Sequence, residues 1–301
     1  MQAIIADDLG QPQEAERELT LAIETCQEPL RAQMQLVRHY LRAKRMSEAI
    51  GVCQRACKQH SETAEPWLSL SDLHVANADY DSGRHTLRQG LDAIKERSEK
   101  RFLSIKLALL ELVHGDRTTG IGILKELASQ DAQEVQARSL LLQVREIRED
   151  PAATEALIGE LRQAEGNGGL WWRLHRAASW LATGNWSSKQ QDITDLLRHC
   201  IDADAAWSAP VLLLAGMYER LGDFKRVEDT YRQGLAGNPS AVDVADRLLA
   251  LLERQGRFAD AEKVLQQAAI DPRLASAWLV RMALGAKNYP LNSWTTWPGS
   301  S

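Results

Sequence analysis

The amino-acid sequence predicts an all-α fold, a solenoid of stacked antiparallel helix hairpins, on three observations. A turn column recurs at Gly10, Lys44, Ala78, Gly115, Glu149, Gly184, Gly222 and Gly256, at intervals of 34, 34, 37, 34, 35, 38 and 34 residues. Apolar and small residues recur at fixed offsets on both sides of that column. Proline falls just past two of the second helices, at Pro239 and Pro272, where it stops a helix sharply. A unit of this length is one helix-turn-helix, too small to bury its own apolar face and stable only against its neighbours.

Each column has a packing task. Eight residues before the turn, Leu36, Leu70, Leu107, Leu141, Leu214 and Leu248 form the core ridge of the first helix. Four before it stand Tyr40, His74, Trp180, Tyr218 and Leu252, which fill the space between the two helices; Glu111 and Arg145 interrupt this column. Two after the turn come Met46, Tyr80, Trp186, Phe224 and Phe258. Five after it, the small residues Ala15, Ala49, Gly83, Gly120 and Ala261, with Val227, let two helices approach closely. Offsets nine (Leu19, Cys53, Leu87, Leu124, Ile158, Tyr231, Leu265) and twelve (Ala22, Ala56, Gly90, Gly234, Ala268) complete one helical stripe.

In chain order, a partial unit covers 1–29 and seven complete hairpins cover 30–63, 64–100, 101–134, 135–169, 170–207, 208–241 and 242–275. A lone helix follows over 276–289, and 290–301 is a tail without helical period. Two hairpins depart from the pattern. The unit 135–169 has Glu149 and Pro151 at its turn and ends in Gly166, Asn167, Gly168 and Gly169, which predicts a displaced second helix. The unit 170–207 carries four extra residues after Trp186, so Ser187–Gln191 reads as a lengthened turn and Leu197 and Cys200 take the apolar columns. Trp171 and Trp172 are adjacent and cannot both face inward, so one of them is expected at the surface.

The residues Leu214, Ala215, Tyr218, Gly222, Asp223, Phe224, Tyr231, Gly234 and Pro239 resemble the tetratricopeptide repeat family. Leu248, Gly256, Phe258, Ala261, Ala268 and Pro272 repeat the match, a third copy begins at Trp67, and the resemblance covers roughly residues 1 to 289. It implies a right-handed superhelical solenoid of paired antiparallel helices with a concave groove that takes peptides or partner proteins, lined by first-helix residues 13, 10, 6 and 3 positions before the turn. That stripe is mixed in charge at Arg31, Met34, Arg38 and Leu41, then at Glu65, Leu68, Asp72 and Val75. It turns apolar at Phe102, Ile105, Leu109 and Leu112, and again at Trp171, Leu174, Ala178 and Leu181, with Gln136, Ser139, Gln143 and Glu146 between. Leu212 continues it among Ala209, Gly216 and Glu219, and Asp243, Asp246, Ala250 and Glu253 end it. Family members that clamp a partner's C-terminal carboxylate use Lys and Asn on this stripe, and the matching positions here are mostly apolar or acidic. The expected occupant is an apolar peptide or an amphipathic helix. The competing reading is that tight winding buries the stripe as extra core.

Composition narrows the classes. With 36 Lys and Arg against 41 Asp and Glu, the net charge of −5 argues against nucleic acid, and the densest basic stretch, Arg38 to Arg45, is interleaved with Tyr40, Leu41 and Ala43 at helical spacing. No window holds 18 consecutive apolar residues, so no membrane span is expected. The first residues lack a secretory leader, which favours the cytoplasm, although Met1 falls inside the first helix of a unit, as in a piece cut from a longer parent. No catalytic signature is present, and Gly120-Ile121-Gly122-Ile123 sits in a small-residue packing column rather than after a strand. Cys53, Cys57 and His60 share one helix face, but the two cysteines occupy core columns, so neither metal nor cofactor is expected. The function expected is a non-catalytic protein-protein interaction scaffold. The alternative is a regulatory or substrate-recruiting portion of a larger enzyme, or of a bacterial envelope or polysaccharide assembly machine. Single-strand RNA reading conflicts with the acidic balance. Self-association through exposed solenoid ends, or through the tail with Trp294 and Trp297, completes the expected partners.

Overall fold

A computed structural model describes residues 12–184 and 186–267. The expectations for Gly10, the lone helix 276–289 and the tail 290–301 lie outside the described residues. Among the described residues the chain forms sixteen α-helices, one turn of 3-10 helix at Trp186–Lys189 and no strand. It divides into two compact units, Met1–Ala153 and Thr154–Ser301.

The first unit holds α1 (Pro12–Thr25), α2 (Pro29–Arg42), α3 (Met46–Gln59), α4 (Ala64–Ala76), α5 (Tyr80–Ala93), α6 (Arg97–His114), α7 (Arg117–Gln130), α8 (Val135–Leu141) and α9 (Arg145–Arg148). The unit boundary falls early in α10 (Pro151–Glu165). The second unit continues with α11 (Trp171–Ala182), α12 (Gln190–Ala203), α13 (Ser208–Arg220), α14 (Phe224–Gly237), α15 (Val242–Arg254) and α16 (Phe258–Gln267). From α1 to α8, and again from α11 to α16, each helix packs on the next in the chain. One core runs through Leu36, Tyr40, Val52, Cys53 and Leu70, and another through Leu197, Leu214, Tyr218, Tyr231 and Leu248.

Four hairpins close with one piece of backbone chemistry. Lys44, Ala78, Gly222 and Gly256 all take a left-handed conformation, with φ of 59°, 58°, 70° and 70°. Each N–H bonds the carbonyl three residues back, as Lys44 does to Leu41 at 3.0 Å, and the following N–H reaches five back, as Arg45 does to Tyr40 at 2.8 Å. Asp79 to His74, Asp223 to Tyr218 and Arg257 to Leu252 repeat the second bond, at 2.8, 3.0 and 2.9 Å. Paired bonds of this kind satisfy carbonyls that a helix end leaves without intrahelical partners. The residue after the turn then fixes the next helix. Asp79 and Asp223 cap α5 and α14 through Ser82 N–H and Arg226 N–H. Arg45 and Arg257 instead reach 29 residues back, to Glu16 at 2.6 Å and Glu228 at 2.5 Å, while also holding Glu48 and Asp260.

The two polar interruptions of the core column are handled in opposite ways. Glu111 stays buried, its Oε1 accepting from Arg88 at 2.7 Å and its Oε2 from Asp116 N–H at 3.0 Å. The carboxylate thus ties the turn at Gly115, where no left-handed residue occurs. Arg145 cannot be hidden so cheaply. The helix breaks over 142–144, Arg145 is exposed and pairs with Glu149 at 2.6 Å, and Val144 and Ile147 take the buried positions. The break between α8 and α9 thus coincides with a charged side chain in a core column and lets Arg145 reach solvent.

Candidate partner-binding face

In the first unit, a cavity of about 630 Å³ is lined by Arg31, Met34, Gln35 and Arg38 of α2 together with Glu28, His60 and Glu65. Arg31 and Arg38 are exposed, while Met34 is buried. The predicted groove residues of α6 separate in the same way: Phe102 is 49% exposed and Leu109 36%, Leu112 is half-buried and Ile105 is buried. The sequence register missed Val113, which is 70% exposed, and Lys106. At 100° per residue, Phe102, Lys106, Leu109 and Val113 lie within about 60° of one another, whereas Ile105 and Leu112 turn away toward the neighbouring helices. Val113 is apolar and stands one residue from the end of α6, so nothing in the pattern distinguishes it from core.

Ion pairs frame this ridge. Lys106 pairs with Asp72 of α4, and Arg117 forks onto Glu146 with both nitrogens at 2.8 Å. Arg101 forks onto Glu134 and donates to Gln136 Oε1 at 3.0 Å. Burial pushes the Glu134 carboxyl up, but the Arg101 guanidinium and Ala137 N–H outweigh it and hold the group below its ordinary value.

In the second unit, α11 begins under a carboxylate cap, with Glu165 accepting from the N–H groups of Leu170, Trp171 and Trp172 at 3.2, 3.1 and 2.8 Å. The adjacent tryptophans divide as their adjacency requires. Trp171 is 38% exposed and leans on Trp207 at 4.7 Å between ring centroids, while Trp172 is half-buried with the guanidinium groups of Arg162 and Arg173 over its ring at 5.0 and 4.5 Å. Of the other predicted groove residues here, Leu174 and Leu181 are buried and Leu212 is half-buried, so the accessible stripe is narrower than the register suggested. His175 is buried beside Trp171, and burial pushes its pKa down to about 4.

Cys53 and Cys57 are buried core side chains whose thiols burial pushes up to about 12, which keeps them protonated and poorly nucleophilic. No group of three or more His, Cys, Asp or Glu among the described residues is arranged to hold a metal ion. No described helix is long and apolar enough to cross a membrane.

Stacked helical hairpins with a recurrent left-handed turn define an α-helical repeat protein. Tetratricopeptide repeat family models match residues 1–62 and 211–243. The chain thus carries tetratricopeptide repeats toward both of its ends. Among solved structures it is similar to a tetratricopeptide repeat protein from Parabacteroides merdae, at 12% identity and a TM-score of 0.54, covering 83% of this chain and 96% of that one. It is also similar to a chain of the APC/C hetero-tetramer Cut9-Hcn1, at 13% identity and a TM-score of 0.50, covering 90% of this chain and 52% of that one. At such identities the likeness concerns the fold. No curated protein matches the sequence. Tetratricopeptide folds generally mediate protein-protein interaction and are typically non-catalytic.

Proposed function

We propose that the chain is a non-catalytic interaction scaffold that holds a partner segment on the first helices of its first unit, with α6 supplying the apolar anchor. The observation that carries this reading is the exposure of Phe102, Leu109 and Val113 on one stripe of one helix. Three large apolar side chains aligned in this way cost solvation unless something covers them, and contiguous exposed apolar surface marks interaction sites. The flanking Lys106–Asp72 and Arg117–Glu146 pairs form a polar rim of the kind that surrounds a desolvated contact. A peptide or partner helix would set its apolar side chains against the stripe and gain affinity there, while the rim charges fix its register.

A displayed library of random peptides panned on the full chain tests this. Wild type is expected to enrich peptides with apolar anchors, and the Phe102→Ser, Leu109→Ser double variant is expected to lose them with an unchanged circular dichroism spectrum. Equal binding by the double variant would move the working surface elsewhere.

A further inference from the structure

The positions 13 and 6 before the turn are exposed in four successive repeats of the first unit. On α2 they are Arg31 and Arg38, and on α4 Glu65 and Asp72. On α6 they are Phe102 and Leu109, and in the α8 repeat Gln136 and Gln143. α2, α4 and α6 each carry one chemistry twice, and it changes from helix to helix: basic, acidic, apolar; the amide pair that follows spans the break after α8. Seven residues are nearly two helical turns, so on α2, α4 and α6 the members of a pair share a face about 10 Å apart.

These pairs also adjoin one another. Arg31, Arg38 and Glu65 line the same cavity, Lys106 of α6 pairs with Asp72 of α4, and Arg101 of α6 reaches Gln136 of α8. Among the described residues, Arg31, Arg38 and Glu65 have no side-chain partner. Two unpaired like charges on one helix face add nothing to folding, and two exposed apolar groups work against solubility. A complementary surface from outside accounts for both. Of these first helices, α4 and α6 pack on each other directly, as helices about 8–10 Å apart do, while α2 and α4 meet around the shared cavity. An extended segment in polyproline II conformation returns a side chain to the same side every third residue, about 9 Å along.

From this spacing and charge order we propose that the first unit reads an extended partner segment of the pattern acidic-x-x-basic-x-x-apolar, with the acidic side chain over α2, the basic one over α4 and the apolar one over α6. This rests on the interaction reading above and names its partner's chemistry. Exposed charges contribute modestly to affinity, so the order serves chiefly as a filter on sequence and chain direction.

Panning random twelve-residue peptides on the full-length chain distinguishes the possibilities. Wild type is expected to enrich the three-residue spacing of acid, base and apolar group. The Arg31→Glu, Arg38→Glu variant should turn the acidic preference basic and weaken a wild-type-selected synthetic peptide about ten-fold, leaving the apolar position unchanged. Glu65→Lys with Asp72→Lys should invert the basic position alone, and an unaltered thermal midpoint in each variant certifies the fold. Enriched peptides with apolar anchors but no charge order, or a charge preference that ignores both reversals, would overturn the proposed code while leaving the apolar surface in place. Enrichment of nothing by wild type would remove the interaction reading itself. A dimer in sedimentation that Arg31→Glu, Arg38→Glu dissolves would overturn the peptide in favour of a second copy of the chain.

Discussion

The position six residues before the turn separates the two units. In the first unit it carries Arg38, Asp72, Leu109 and Gln143, all exposed and all long enough to reach a partner. In the second it carries Ala178, Gly216 and Ala250, all half-buried. The same register of the same fold is thus furnished for contact in one unit and left bare in the other. A repeat architecture fixes where side chains point; what stands at those points is free to differ, and that is where function is written.

The largest test of this contrast compares two leucines of the predicted groove. Leu174 is 7% exposed and Leu109 is 36% exposed. Leu174→Asp places a charge in the second unit's core and is expected to cost about 4–5 kcal/mol, with loss of that unit's cooperative transition in urea. Leu109→Asp is expected to change stability by less than about 1 kcal/mol. Equal losses would mean that the α6 stripe is core after all, and the contrast between the units would collapse.

The fold was legible because its columns recur, and recurrence survives local exceptions. Leu36, Leu70, Leu107, Leu141, Leu214 and Leu248 are all buried, so the core ridge could be read from spacing alone. The face was legible only in part. Spacing places a side chain within about 50° of its true direction, and on α6 that error separates buried Ile105 from half-buried Lys106. The fates of Glu111 and Arg145 were not legible at all. Whether a charge in a core column is buried or expelled depends on a partner such as Arg88, distant in sequence, being within reach.

A buried histidine in the second unit supplies a second test. His175 is buried with a pKa pushed down to about 4, against an ordinary value of 6.5 in the unfolded chain. Between those values the unfolded chain binds a proton that the folded unit does not, so stability rises with pH across the window. It is complete above about 6.5 and falls as the pH drops toward 4, by up to about 3 kcal/mol. Urea midpoints at pH 7.5, 6, 5 and 4.5 should show the decline, and His175→Phe should flatten it. A decline of undiminished slope in the variant would assign it to other groups.

The left-handed turns make a smaller and opposite point, because they occur in both units. Lys44 and Ala78 in the first, and Gly222 and Gly256 in the second, hold nearly the same positive φ. Side chains other than glycine are strained there. Ala78→Gly is therefore expected to stabilise and Gly222→Ala to destabilise, each by about 1 kcal/mol. Opposite signs in thermal melts would show that hairpin closure is common machinery on which the two faces were built separately. Matching signs would mean that the turns differ in ways their dihedral angles conceal.

The finest test returns to the bare column of the second unit. Gly216 sits within α13, and a methyl group added there would meet nothing within 4 Å. Glycine inside a helix costs about 0.5–1 kcal/mol relative to alanine, so Gly216→Ala is expected to raise stability by that amount. The gain would show that no internal packing demands a glycine at this position, and that its emptiness belongs to the surface rather than to the core. A loss of stability would instead reveal a packing constraint on the column, and the small residues at 178, 216 and 250 would then be explained by helix approach. The choice between these outcomes decides whether the second unit's face is bare by construction or merely unfurnished.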